Sequence, residues 1–151
     1  MPLYQGHRLR RGRYSEAGRV YLLTAVTAGR VPLFADISLG RLLVHEMRMA
    51  QDQQLLLSLC WVVMPDHLHW LIELGGVPLE QTMQQVKSRS AKLINRVRGS
   101  EGPVWQKGFH DHALRRDEDM LAVARYIVAN PLRAGLVERL ADYPLWDAIW
   151  L

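Results

Sequence analysis

Two histidines separated by one leucine are the residues best placed to do chemistry, in the run Met64-Pro65-Asp66-His67-Leu68-His69-Trp70-Leu71-Ile72. Apolar segments flank them, Leu55 to Val63 and Trp70 to Leu74, and read as buried strands. Side chains on a strand alternate between faces, so His67 and His69 share one face and Leu68 takes the other. Two imidazoles placed in this way can bind one divalent metal ion. The spacing alone is weak evidence, because satisfied strand histidines are commoner than ligands. Pro65-Asp66 supplies turn chemistry, so the pair opens the second strand of a hairpin. Placement on a rigid strand beside a loop adds modestly to the metal reading.

The elements that must position this pair come from one domain-sized chain. At 151 residues it is long enough to bury a core without disulfides. With 49% apolar and 23% charged residues it falls in the globular class and not the disordered one. Cys60 is the single cysteine and sits in an apolar run, which fits a buried small hydrophobe in the reducing cytoplasm. No window is apolar for the length of a bilayer span, and no signal-peptide core follows the basic N-terminus. The expectation is a cytoplasmic, nucleoid-associated protein.

The formal charge of +4 is modest, but its distribution is not even. Lys87, Arg89, Lys92, Arg96, Arg98, Lys107, Arg115 and Arg116 face only Glu101 and Asp111 in the same stretch. Arg8, Arg10, Arg11, Arg13 and Arg19 face only Glu16. Clustered basic charge with interleaved aromatics is the footprint expected for nucleic acid; a solvated helix face and a basic arm are the plainer reading.

Residues 1–18 read as a basic arm, 19–138 as one domain and 139–151 as a tail. Val20 to Thr27 is a strand by composition, and Gly29-Arg30-Val31-Pro32 breaks it. Asp36 is the expected cap of a helix to about Gln54, with Ile37, Leu39, Leu42, Leu43, Met47 and Met49 inward. After the hairpin, Gly75-Gly76 and Pro78 lead into a helix to about Arg98. Its inner side carries Met83, Val86, Ile94 and Val97, while Arg89, Lys92 and Arg96 form a basic stripe. Phe109–Leu114 reads as a fourth strand, and Asp117 as the cap of a third helix of about four turns that ends at Pro131. The order is the α+β ferredoxin-like, split βαβ pattern. It predicts a four-stranded antiparallel sheet with helices mainly on one face, the other face being open to the third helix.

Tyr126 and Asn130 share a face of that third helix, four residues apart. Taken alone, a tyrosine there is commonly core, and an asparagine before proline is commonly a helix stop. With MPDHLHWLIEL, KSRSAKLINR and VWQKGFHDHALRRDEDMLAVARYIVANPLRAGLV the chain resembles the single-tyrosine HUH transposases, in particular their REP-associated tyrosine transposase branch. The resemblance runs from about Gly18 to Leu151 and rests on His-hydrophobe-His followed by Tyr-x-x-x-Asn-Pro. It implies a nuclease that binds hairpins of extragenic palindromic repeats and cleaves single-stranded DNA beside them with Mg²⁺ or Mn²⁺. It implies His67 and His69 as metal ligands and Tyr126 as nucleophile. Asn130 falls where such proteins often place a third ligand, although a carboxylate binds a hard cation better. DNA contacts are then expected from Lys87, Arg89, Lys92, Arg96, Arg115 and Arg116.

The chemistry is consistent with that set. A phenol is mostly neutral at pH 7 and needs a polarised phosphate to attack. Attack by Tyr126 leaves a 5′-phosphotyrosine and a free 3′-hydroxyl, and the step reverses as strand joining. His110-Asp111-His112 also has strand spacing, but its charged middle residue predicts a polar opposite face. It reads as a group beside the site or facing DNA, with His112 as the member that could reach the metal. His7 and His45 read as surface residues, and Trp105, Trp146 and Trp150 as packing residues with base stacking as the alternative. Two other readings stay open: a non-catalytic nucleic-acid-binding module, and a small metal-dependent phosphoester hydrolase. The oligomeric state stays open between monomer and homodimer.

Overall fold

The computed structural model describes residues 15–115 and 118–150. Most of the basic arm, Arg116, Asp117, His7 and Leu151 lie outside the described residues. Strand β1 (Val20–Val26) is followed by two single 3₁₀ turns and helix α1 (Ile37–Asp52). Strands β2 (Leu56–Met64) and β3 (His67–Leu74) form the hairpin, and helix α2 (Leu79–Arg98) follows. Strand β4 (His110–Ala113), helix α3 (Met120–Val128), a helical turn α4 (Asn130–Arg133) and strand β5 (Trp146–Ala148) complete the order.

The sheet runs β4-β1-β3-β2-β5, every pair antiparallel. Its first four members have the split βαβ order, as the element sequence predicts. The fifth strand corrects the four-stranded expectation. Three residues of the stretch read as a tail pair with Cys60–Val62 and cover part of the β2 edge. That stretch is clamped on both sides of the edge: the Tyr143 hydroxyl donates to the Val63 carbonyl at 2.6 Å, and Leu145 is buried. Gly40 on α1 lets Leu145 approach closely, since a Cβ there would meet a Leu145 methyl and force that side chain to shift. Three residues are too few to show an alternating pattern, so nothing in the composition marked β5.

The sheet has a core on each face. One unites Leu23, Trp70 and Ile72 with Leu43 and Met47 of α1 and Met83, Val86 and Ile94 of α2. Trp70 is fully buried, and its indole N–H donates to the Ser58 hydroxyl at 2.8 Å. The other unites Cys60, Val62, Met64 and Leu71 with Ala124, Ile127 and Val128 of α3. Alternation along β3 sends Leu68, Trp70 and Ile72 to the first core. His67, His69 and Leu71 therefore face the α3 side, as the strand reading requires.

Caps set the helix limits. The Asp36 carboxylate accepts from Ser38 N–H at 3.0 Å and starts α1. Gly99, with φ +63°, ends α2 in the left-handed conformation that suits glycine. On α3 the cap is Asp119, two residues beyond the expected Asp117, with its carboxylate accepting from Leu121 and Ala122 N–H. That shortens α3 to nine residues against the four turns expected. Such a segment is marginal alone, since isolated helices need about 12–15 residues. Packing of Ala124, Ile127 and Val128 on the sheet must hold it. Two inward assignments also fail: Val97 and Ile37 are exposed, each at a helix end that overhangs the core.

Candidate active site

His67 and His69 lie side by side, with ring centroids 4.8 Å apart in an edge-on arrangement. Each ring is held through Nδ1. His67 Nδ1 is 2.6 Å from the Asp66 carboxylate, and His69 Nδ1 is 3.0 Å from the Thr24 hydroxyl on neighbouring β1. Asp66 is itself anchored: Arg30 Nε donates to it at 3.2 Å, and its carbonyl accepts from the Thr27 N–H at 3.0 Å and hydroxyl at 3.1 Å. Burial would raise the Asp66 carboxyl, but the bonds and charges of His67 and Arg30 outweigh it and hold it below the usual value. Burial, with His67 and Arg133 beside it, pushes the His69 imidazole down to about 4. His69 is therefore neutral at pH 7, the state that donates a lone pair to a metal.

With both Nδ1 atoms engaged, the two Nε2 atoms are the donors left for a cation. Hydrogen-bonded, pre-oriented histidines of this kind are what a metal site needs around its ligands. Asn130 turns its amide nitrogen onto the Ile127 carbonyl at 2.8 Å, which leaves its oxygen as the end suited to a hard cation. Among the described residues no three His, Cys, Asp or Glu side chains gather at one point, so this is not an acidic cage. His67, His69 and Asn130 thus offer two imidazole nitrogens and one amide oxygen, donor types that divalent cations accept.

Helix α3 lies on the same sheet face as the histidines. It starts near Val20 and Leu114, at one end of the strands, and its later residues Ile127 and Val128 pack in a core with Met64, one residue from the hairpin turn. Tyr126 is 67% exposed, which rules out the core-packing reading for it. The guanidinium of Arg133 stacks on its ring, 3.8 Å from the centroid. Ala129 stays near-helical, so Tyr126, Asn130 and Arg133 fall at i, i+4 and i+7 of one stripe across the α3–α4 junction. Arg133, Asp66 and Thr24 were missed in the sequence. The i+7 spacing was the available signal for Arg133, and adjacency to His67 for Asp66. Thr24 needed the strand register.

The other histidine pair is placed differently from its reading. Asp111 is buried, opposite Leu23, and His110 and His112 take the α3 side. His110 and His69 both pair with Thr24, so His110 is the member level with the site, two strands from His69. His112 lies nearer the far end and pairs with Glu118 at 3.2 Å. His45 is exposed on α1. Trp105 is buried and donates to Ser90 at 3.1 Å, Trp146 donates to the Leu140 carbonyl at 3.2 Å, and Trp150 is partly exposed.

The basic residues separate into three groups. Lys87 is half-buried with its ammonium donating to the Gln106 and Gly108 carbonyls, and burial pushes it down to about 8. Its role there is to hold the loop before β4. Arg89, Lys92 and Arg96 are exposed on α2, with Arg89 fastened to buried Glu46 at 2.8 Å. Because α2 covers the first core, the sheet stands between this stripe and the histidines. Arg115 lines a cleft with Arg19, Glu118 and Trp150 at the end of the sheet away from His67.

These observations meet the comparisons with known proteins. The sequence profile of the family described as "Transposase IS200 like" matches residues 20–130, and the chain belongs to that family. It is similar to the REP-associated tyrosine transposase of Escherichia coli K12, 30% identical over 86 residues, which are 56% of this chain and 49% of that protein. A relative from Haemophilus influenzae is 30% identical over 93 residues, 54% of this chain and 53% of its own. The chain thus spans about half the length of these relatives. The solved structure of a REP-associated tyrosine transposase bound to a REP hairpin has the same fold, with TM-score 0.73 at 23% identity over 89% of this chain and 79% of that one. No helix among the described residues is long and apolar enough to cross a membrane.

Asp66 offers a test of how the histidines are held. Asp66→Asn keeps the shape but weakens the acceptor on His67 Nδ1. Mn²⁺ affinity, measured by calorimetry, is expected to fall roughly 10–100-fold, with little change in melting temperature. Unchanged affinity removes Asp66 from the metal-binding arrangement.

Proposed function

We propose that this chain is a tyrosine-dependent single-strand DNA endonuclease and strand transferase that binds hairpin-forming palindromic DNA. The observation that carries the reading is the shared face: His67, His69 and the helix bearing exposed Tyr126 all lie on one side of the sheet. The names of the similar proteins support the DNA class.

The Tyr126 hydroxyl attacks phosphorus, the phosphorus–tyrosyl oxygen bond forms, and the bond to the 3′ oxygen breaks. The phenol proton is released to solvent, and the departing 3′ oxygen takes up a proton. Phosphotyrosine remains on the 5′ end, and attack by a 3′-hydroxyl reverses the step. His67, His69 and Asn130 would hold Mg²⁺ or Mn²⁺, which when bound polarises a phosphate oxygen and offsets charge in the in-line transition state. Thr24 and Asp66 fix the two rings, and neutral His69 keeps its lone pair available.

The stripe of Arg89, Lys92 and Arg96 on the opposite layer gives hairpin binding a surface separate from cleavage. Neutralising Lys92 or Arg96 is expected to flatten the log–log salt dependence of DNA binding by roughly 0.7–0.9 per lost phosphate contact, while adduct formation at saturating DNA is unchanged. A slope that does not move takes that residue off the DNA surface.

Incubating the chain with a hairpin oligonucleotide bearing a single-stranded flank and Mn²⁺ tests the function. A covalent protein–DNA adduct on a denaturing gel is expected, and EDTA should prevent it. Tight, salt-sensitive binding without an adduct would establish the non-catalytic module instead. Turnover of small phosphoesters without DNA affinity would establish the hydrolase.

A further inference from the structure

We infer that Arg133 is a positioning residue for the nucleophile: its guanidinium, stacked on the Tyr126 ring, sets the direction in which the phenol oxygen meets the phosphate. This rests on the reading of Tyr126 as the attacking group.

The geometry is specific to the pair. Tyr126 is exposed at the flank of α3, so core packing does not fix its ring. A free tyrosine on a surface helix samples several staggered rotamers, and only one of them can place the hydroxyl for in-line attack. Among the described residues, the Arg133 guanidinium lies over its ring, 3.8 Å from the centroid. A planar guanidinium covers a ring face as an ammonium cannot.

Arg133 is in turn held by the backbone. Turn α4 is set by Pro131, and it is closed by Ala134 N–H to the Asn130 carbonyl at 2.9 Å and Leu136 N–H to the Pro131 carbonyl at 2.9 Å. Gly135, at φ +72°, reverses the chain directly after it. The turn packs against β2, beside the hairpin. Asn130, on the same stripe, lies between Tyr126 and Arg133 in sequence. One short turn therefore carries both a candidate metal ligand and the plate that orients the phenol.

The test is single-turnover adduct formation with hairpin DNA and Mn²⁺ by the full chain, at saturating DNA, alongside hairpin affinity and melting temperature. Arg133→Gln removes the cation, and Arg133→Lys keeps the charge but not the flat plate. Both variants are expected to form adduct about 10–100-fold more slowly, with hairpin affinity within about twofold of wild type and melting unchanged. Lysine should recover only a small part of the lost rate. Wild-type rates in both variants overturn the inference. So does full rescue by lysine, which indicates a role of charge alone, and so does a rate loss matched by lost affinity or melting. A wild-type chain that forms no adduct overturns the nucleophile reading and this one together. A normal wild-type adduct with unaffected variants overturns only the role of Arg133.

Discussion

Replacing Tyr126 with phenylalanine is expected to abolish the covalent protein–DNA adduct and to cut strand cleavage by roughly three orders of magnitude or more. The change removes one oxygen. Tyr126 is exposed, and the phenylalanine ring keeps the face on which Arg133 stacks, so stability should move by no more than about 0.5 kcal/mol. Ala124, Ile127 and Val128, which hold α3 on the sheet, are untouched. Hairpin affinity should persist, because the exposed basic stripe of α2 lies on the other layer. Adduct formation by the mutant would make Tyr143 or Tyr21 the next candidates, and the structure ranks them low. Tyr21 is buried, and the Tyr143 hydroxyl is bonded to Val63, with burial raising its pKa.

The second large effect belongs to His69. Replacement by glutamine should abolish Mn²⁺-dependent cleavage, as loss of one of two imidazole ligands leaves too few donors. It should also change how stability depends on pH. Burial, His67 and Arg133 lower His69 to about 4 in the folded protein, against about 6.5 for a free imidazole. The unfolded chain therefore binds the proton more readily, and stability rises with pH across that interval. The contribution is fully present above about pH 6.5. It is lost progressively as pH falls towards 4, and it levels off below. A shift of this size corresponds to roughly 3 kcal/mol as an upper estimate. Urea unfolding of wild type and His69→Gln at pH 7 and pH 4.5 measures it. Wild type should lose more stability than the variant, and an equal loss in the two proteins would rule out a buried, neutral His69.

How much of this was readable beforehand depended on the range of each interaction. The histidine face followed from period-two alternation, which is local to β3, and the sheet places His67 and His69 as that alternation requires. The caps at Asp36 and the stop at Gly99 were local too. Helix α3 was readable as a helix but not in length, because Asp117 and Asp119 lie two residues apart and either aspartate could cap. The reading of Val97 as inward failed because helical spacing does not say where the core underneath ends.

By itself, then, the sequence determined the order of the first four strands and the three longer helices, the shared face of the two histidines and the shared stripe of Tyr126 and Asn130. Each follows from backbone periodicity within one element. Only the tertiary structure decided which residues become neighbours across elements. Thr24 meets His69 through the β1–β3 register, and α3 packs on the histidine side of the sheet. Lys87 turns inward to a loop while Lys92 and Arg96 stay exposed on the opposite layer. Those placements depend on burial of apolar area between segments far apart in the chain, and no local pattern encodes which segments will meet.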